Sequence, residues 1–435
     1  MESADAAEGF VVGARCCFDG YYATIRFVGE VPPAKGVWVG VEWDDASRGK
    51  HSGDHEGTQY FTCSKPGSGS FVRPRKVTLG YSFIEALRKR YAETSAETTE
   101  RGGGGGGGGG KGEEDMFVIS RNSLVTPVEM VGADMIKKKT SQLTKLGSVS
   151  TSLRGMLVSS VGPPGEISTV APNIQELDMS TNHLLSSWET LAGICSQLTH
   201  LHSLNLSENF ALSVPGDPRT LTPAFRQVKE LTMNKMQLSW SQVCVVVSMF
   251  PGLERFHCCE NLISEISSQP PLQSLRLITL EENQLSSWDS VFHLAPLPSL
   301  EILILNDNQI PQIFSPETDG RSPGFLELKS LSICRNRLHD WSSIIALDSM
   351  PALRELKIKG NPLFEGESGL NSRELVIAQL PRLQGLNGSP VSVVAMTTSH
   401  THYLRVKPRL SPPCLGAAAR VCLCVLESAC SEESL

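Results

Sequence analysis

Apolar and polar positions follow different rhythms along this chain. From Gly9 to about Leu79, short apolar bursts such as "YYATIRFVG" and "VWVGVEWD" are broken by Pro/Gly turns. Aromatic and β-branched residues fill these bursts, which predicts a small all-β domain over residues 9–80 behind a flexible N-terminus, residues 1–8. In "YSFIEALRKRY", Phe83, Ile84, Leu87 and Tyr91 recur near helical spacing, so one short helix is expected over 81–91. The run "AETSAETTERGGGGGGGGGKGEED" then places consecutive glycines at Gly102 to Gly110. Glycine leaves the backbone maximal freedom and the charged flanks solvate it, so residues 92–139 are expected to form a flexible linker.

Over residues 140–390 a repeat emerges. The template L-x-x-L-x-L-x-x-N is met by "IQELDMSTN", "LHSLNLSEN", "LERFHCCEN", "LRLITLEEN", "LEILILNDN", "LKSLSICRN" and "LRELKIKGN". Between the second and third of these, "VKELTMNKM" keeps the apolar positions but ends in Met236. A period of about 20–29 residues is that of leucine-rich repeats. The fold class expected is therefore multidomain: a small all-β, barrel-like domain followed by an α/β leucine-rich-repeat solenoid with a C-terminal cap. In "LEILILNDN", Leu300, Leu303 and Leu305 should point into the stack, with Glu301, Ile302 and Ile304 on the other side of a short strand. Asn182, Asn209, Asn261, Asn283, Asn308, Asn336 and Asn361 are expected to bond backbone groups of adjoining turns. One repeat cannot bury its leucines alone, so stability is shared with neighbours. Ser or Asp precedes Trp188, Trp240, Trp288 and Trp341, as at a helix N-cap, and these rings are expected to pack within the repeats. Binding by the array is expected on the open concave face.

Composition narrows the function classes. A formal charge of -7 and a pI near 5.9 argue against nucleic-acid binding. "MESADAAEGF" lacks the basic-then-apolar order of a signal peptide, and apolar runs such as "CVVVSMF" fall far short of the roughly 20 residues a membrane span needs. The expected setting is the cytosol, with no membrane partner. The 12 cysteines include the adjacent pairs Cys16/Cys17 and Cys258/Cys259 but no C-x-x-C. They are expected to be free, buried thiols, with no metal and no cofactor.

Candidate chemistry concentrates in "GKHSGDHEGTQYF", Gly49 to Phe61. His51 and His55 stand four apart, but Gly49, Gly53 and Gly57 oppose the helix that would align them as metal ligands, and no third ligand is evident. A phosphate loop would need a strand-to-helix transition that is absent. Peptide capture remains. Glycines let amides converge on an oxyanion, Lys50 supplies positive charge, and Trp43, Tyr60, Phe61 and Phe71 can wall an apolar groove. Such a site suits a terminal carboxylate preceded by an aromatic side chain.

The stretch "GVWVGVEWDDASRGKHSGDHEGTQYFTCSKPGSGSFVRP" resembles a CAP-Gly domain, a module that binds acidic C-terminal tails ending in an aromatic residue. The resemblance implies that Lys50, between Gly49 and His51 and followed by Gly53, pairs with the terminal carboxylate. It further implies that Trp43, Phe61 and Phe71 are groove aromatics, with Tyr60 beside them. Lys35, Arg73, Arg75 and Lys76 add charge suited to an acidic tail. The family's usual Gly-Lys-Asn-Asp-Gly is altered, with His51 for Asn and Ser52 for Asp. A protonated His51 would hold a carboxylate better, so tail binding is expected to strengthen as pH falls from about 7.5 to 6.

A CAP-Gly domain, a helix, a linker and leucine-rich repeats together resemble the tubulin-folding cofactor E family, from about Gly9 to Val391. "RELVIAQLPRLQGLNGSPVS" is similar to that family's cap after the last repeat. The resemblance implies a chaperone cofactor rather than an enzyme, cytoplasmic and cytoskeleton-associated. Its implied partners are α-tubulin, the αβ-tubulin heterodimer and other tubulin-folding cofactors. Two-point capture is expected, with the groove on the tail, the repeats on the globular body, and the linker setting the effective concentration. The alternative is a microtubule-associated adaptor whose repeats bind another partner. Residues 391–435 lack the strand pattern of the family's ubiquitin-like domain and are expected to be a divergent, largely disordered tail.

Overall fold

The computed structural model describes residues 9–96, 117–119, 125–127, 150–314, 324–365, 372–392 and 397. Most of the expected linker and nearly all of the expected tail lie outside these residues. The chain divides into two compact units, Met1–Leu201 and His202–Leu435.

In the first unit, β1 (Arg15–Phe18), β2 (Tyr21–Val31), β3 (Ala34–Trp43) and β6 (Gly69–Val72) form an antiparallel sheet in that order; β4 (Asp54–His55) and β5 (Thr58–Gln59) make a small separate hairpin. Strand alternation buries Ala23, Ile25, Val39, Val41 and Trp43 with Cys16 in one core. A register shift at Arg26 then matters. Ile25 lies opposite Val41 in the core, whereas Phe27 lies opposite Gly40 on the other face. That second face carries the candidate site.

Tyr81–Ser82 is not the start of a helix but a short strand, β7, paired in parallel with Val158–Ser160. The helix, α1, runs Phe83–Ala96, further than the apolar spacing suggested. Ser82 and Glu85 start it as a capping box: the Ser82 amide donates to Glu85 Oε2 at 2.8 Å and the Glu85 amide to Ser82 Oγ at 3.4 Å. Phe83, Ile84 and Leu87 are buried as expected. Arg88 pairs with Glu166 at 3.0 Å, and Tyr91 Oη accepts the Ser152 amide at 3.3 Å. The all-β domain and the entry to the repeats are thus held together directly, through β7 and α1.

In the second unit each repeat supplies one three-residue strand. Ser203–Asn205, Glu230–Thr232, Arg255–His257, Leu277–Thr279, Ile302–Ile304, Ser330–Ser332 and Glu355–Lys357 pair in parallel, in register. The middle residue of each strand, such as Ile278 or Leu303, is buried in the stack. The asparagines do bond the turns. Asn283 Nδ2 donates to the Cys258 and Leu280 carbonyls, and its Oδ1 accepts the Asn261 and Ile263 amides. Where Met236 replaces asparagine, its Sδ accepts the Asn209 amide at 3.2 Å. The residue before each asparagine adopts positive φ: Glu208, Glu260, Glu282, Asp307 and Arg335 here, with Lys235 before Met236. Trp240 and Trp288 start helices and are buried within their repeats, as Trp188 is in the first unit.

Candidate functional site

The loop after β3 is pinned by close backbone contacts that only glycine allows. A Cβ at Gly49 would collide with the Gly67 carbonyl, and one at Gly53, where φ is +100°, with the Phe61 carbonyl. The Lys50 and His51 amides both donate to Gly69 O, at 2.7 and 3.2 Å, and the Gly69 amide donates to His51 O at 2.8 Å. The Tyr60 amide returns to Gly53 O at 2.9 Å. Lys50 therefore leaves a rigid base, is exposed, and pairs with no carboxylate among the described residues.

Beside Lys50 is a cluster of rings centred on Phe71. His51 stacks on Phe71 at 4.9 Å, while Tyr60 and Phe61 meet it edge-on at 5.5 Å and Phe27 at 6.1 Å. His55 touches the same ring at 6.3 Å. A side chain at Gly40 would strike Phe61 and Phe27, so glycine lets these rings lie against the sheet. Arg73 lies 3.7 Å over the Trp38 ring and donates to the Lys35 and Val37 carbonyls at 2.9 and 3.3 Å, which ties its charge to the edge of the sheet.

Of the expected residues, Gly49, Lys50, His51, Gly53, Tyr60, Phe61 and Phe71 come together, and Arg73 borders them. Trp43 does not. It is 4% exposed, edge-on to Phe18 in the core, on the opposite face of the sheet. Phe27 joins the ring cluster and Trp38 lies under Arg73, and the sequence reading overlooked both.

His51 has an assigned role in the fold. Its Nδ1 accepts the Gly53 amide at 3.0 Å, so the neutral ring carries its proton on Nε2. Burial lowers its pKa below the ordinary 6.5; Asp54 opposes this, while His55 and Lys50 add to it. The expected strengthening of binding between pH 7.5 and 6 is therefore not supported, because protonation would have to displace the Gly53 hydrogen bond.

Glu42 also escaped the sequence reading. Alternation puts it on the site's face of β3, almost fully buried. It accepts Arg26 Nε at 2.8 Å and the Ser64 and Lys65 amides at 2.7 and 3.3 Å, along with the Ser64 hydroxyl. Burial pushes its pKa up, but the bonds from Ser64, Arg26 and Lys65 outweigh that and hold it at about 2. It anchors the loop from Ser64 to Ser68 that packs on Gly49. The only sequence signal was an acidic residue inside an apolar strand.

Thiol chemistry finds no support here. Burial pushes Cys16 and Cys195 up to about 12, so they act as small hydrophobes, whereas Cys63, Cys244, Cys259 and Cys334 are only part-buried, against the expectation of buried thiols. Among the described residues no helix is long and apolar enough to cross a membrane.

The fold and this face together define a CAP-Gly domain followed by leucine-rich repeats, and the CAP-Gly family profile matches residues 12–77. Tubulin-specific chaperone E of Xenopus laevis is 39% identical over 381 residues, covering 87% of this chain and 68% of that protein. Tubulin-folding cofactor E of Arabidopsis thaliana is 32% identical over 419 residues, covering 93% and 75%. Among solved structures, a leucine-rich-repeat protein of Leptospira interrogans is 21% identical, with a TM-score of 0.36, over 59% of this chain and 60% of that one. The chain belongs to the tubulin-specific chaperone E family.

Proposed function

We propose that this protein is a tubulin chaperone that captures α-tubulin by its acidic C-terminal tail and helps assemble or dissociate the αβ-tubulin heterodimer. The observation that carries the reading is Lys50, an exposed cation without a carboxylate partner among the described residues, set beside the ring cluster of Phe27, His51, Tyr60 and Phe71. A chain end offers the matching chemistry: a carboxylate for Lys50, an aromatic ring for the cluster, and preceding acidic residues toward Arg73 and its neighbours. The repeats supply a second contact, to the folded body of the client. Other tubulin-folding cofactors are expected partners through the same family relationship.

The test uses αβ-tubulin, intact and with its tails cleaved, and follows heterodimer dissociation beside polymer co-sedimentation. Lys50→Ala should weaken binding to intact tubulin about 10-fold, roughly 1.4 kcal/mol, and leave binding to tail-cleaved tubulin unchanged. Strong polymer binding with no effect on soluble heterodimer would instead favour a microtubule adaptor.

A further inference from the structure

The chain leading into Lys50 is fastened on the far face of the sheet. After β3 comes one 3-10 turn, Ala46–Arg48, capped by Asp45, whose carboxylate accepts the Ser47 amide at 3.0 Å. The Arg48 and Gly49 amides close it on the Asp45 and Ala46 carbonyls, each at 3.1 Å. The Arg48 guanidinium then lies 3.5 Å over the Tyr21 ring and 5.3 Å from that of Trp43. Both rings are on the core side. Alternation along β2 puts Tyr21 on the face of Ala23 and Ile25, and Trp43 is itself in that core. The ring cluster around Phe71 is on the opposite face. Only Gly49 separates Arg48 from Lys50, at the point where a Cβ would strike the Gly67 carbonyl.

Two observations set this arginine apart from a cation that meets the tail. Its guanidinium is engaged by two rings on the wrong face, and to reach a bound tail it would have to leave both. The turn is also held at its other end. Arg15 Nη1 and Nη2 donate to the two Asp44 carboxylate oxygens at 2.7 and 2.5 Å, and the Asp44 amide donates to the Tyr22 carbonyl at 3.1 Å. The segment Asp44–Arg48 is thus clasped by β1 and β2 before the Lys50 amide reaches Gly69.

We propose that Arg48 is a positioning residue for tail capture: stacked on Tyr21, it holds the turn from which Lys50 meets the terminal carboxylate. A cation held in place forms its ion pair without first being ordered, so the stack acts on affinity through Lys50. The inference rests on the tail-capture reading above and assigns Arg48 and Tyr21 a part in it without any contact to the tail.

The experiment uses the full chain and a free acidic peptide ending in an aromatic residue with a free carboxylate. Binding is measured at about 0.15 M salt, where the Debye length is about 8 Å and remote charges are screened. Tyr21 is 43% exposed, so Tyr21→Leu removes the π face without opening the core. It should weaken peptide binding about 3- to 5-fold, and Tyr21→Phe should restore it. Arg48→Gln should cost the same alone and little more when added to Tyr21→Leu, because the two act as one unit. In Lys50→Ala, which leaves nothing to position, neither change should weaken binding further. If Tyr21→Leu binds as the wild type does, or if Arg48→Gln costs as much with Tyr21→Leu as without it, Arg48 is not a positioning residue and tail capture by Lys50 stands. A loss that persists in full in Lys50→Ala would equally overturn the proposal. If the wild-type chain does not bind the peptide, the tail reading falls and this inference with it.

Discussion

The nitrogen that His51 turns to Gly53 is already an acceptor, which fixes what a proton does there. The folded pKa lies below the ordinary 6.5, so the neutral ring's contribution is complete above about 6.5 and is lost as pH falls through the lowered value. Affinity for a tail peptide should be flat from about pH 7.5 to 6.5 and weaken below. In His51→Asn, whose amide oxygen replaces the acceptor without titrating, the acid limb should flatten. Peptide titrations of both proteins across that range check this; an affinity that climbs steadily toward pH 6 in the wild type alone would overturn it. Glu42 has the opposite charge logic. Its folded pKa of about 2 lies under the ordinary 4.5, so its contribution is present above about 4.5 and is lost as pH falls toward 2. Glu42→Gln should lose about 2 kcal/mol at pH 7, with Arg26 left unpaired. Urea unfolding should show the two proteins converging near pH 2 to 3; a gap that persists there would place the loss in packing instead.

At the scale of elements, the asparagine ladder makes its own forecast. Thioether sulfur is a weak acceptor, so the Asn209 amide gains less from Met236 than Asn261 gains from Asn283. Met236→Asn should therefore stabilise the array by about 1 kcal/mol, or roughly 2–4 °C in melting temperature, as calorimetry would show. The ladder was legible in the sequence because all the repeats but the one with Met236 set the same residue against the same unpaired amides. The candidate site was legible only in part. Lys50 and His51 lie in one glycine-marked motif with Phe71 downstream of it, but Trp38 and Trp43 offer the same chemistry on opposite faces of one strand. Which face meets the core depends on pairing with β2, and the shift at Arg26 that turns Phe27 outward leaves no mark in a one-dimensional pattern. The helix start is a different kind of miss. Ser82-Phe-Ile-Glu85 is a capping-box spelling, and it alone moves the boundary to Phe83.

At the scale of the whole molecule, the direct junction of the all-β domain with the entry to the repeats alters the expected role of the linker. The described residues on either side of 97–149 belong to one compact unit, where Tyr81–Ser82 pairs with Val158–Ser160 and Tyr91 reaches Ser152. In the proposed two-point capture, linker length should then not set the effective concentration of the second contact. Removing Gly102 to Gly110 should leave the affinity for intact tubulin within about two-fold, as a binding isotherm would show. A last consequence follows from the positive-φ column. Glu208, Lys235, Glu260, Glu282, Asp307 and Arg335 each hold a conformation that costs a side-chain-bearing residue about 1–2 kcal/mol and glycine almost nothing. Gly360 occupies the same place in the last repeat. A glycine walk down the column thus reads out selection position by position. Where glycine raises the melting temperature and tubulin binding survives, the side chain is dispensable; where stability rises and binding falls, the array keeps a strained residue for its partner.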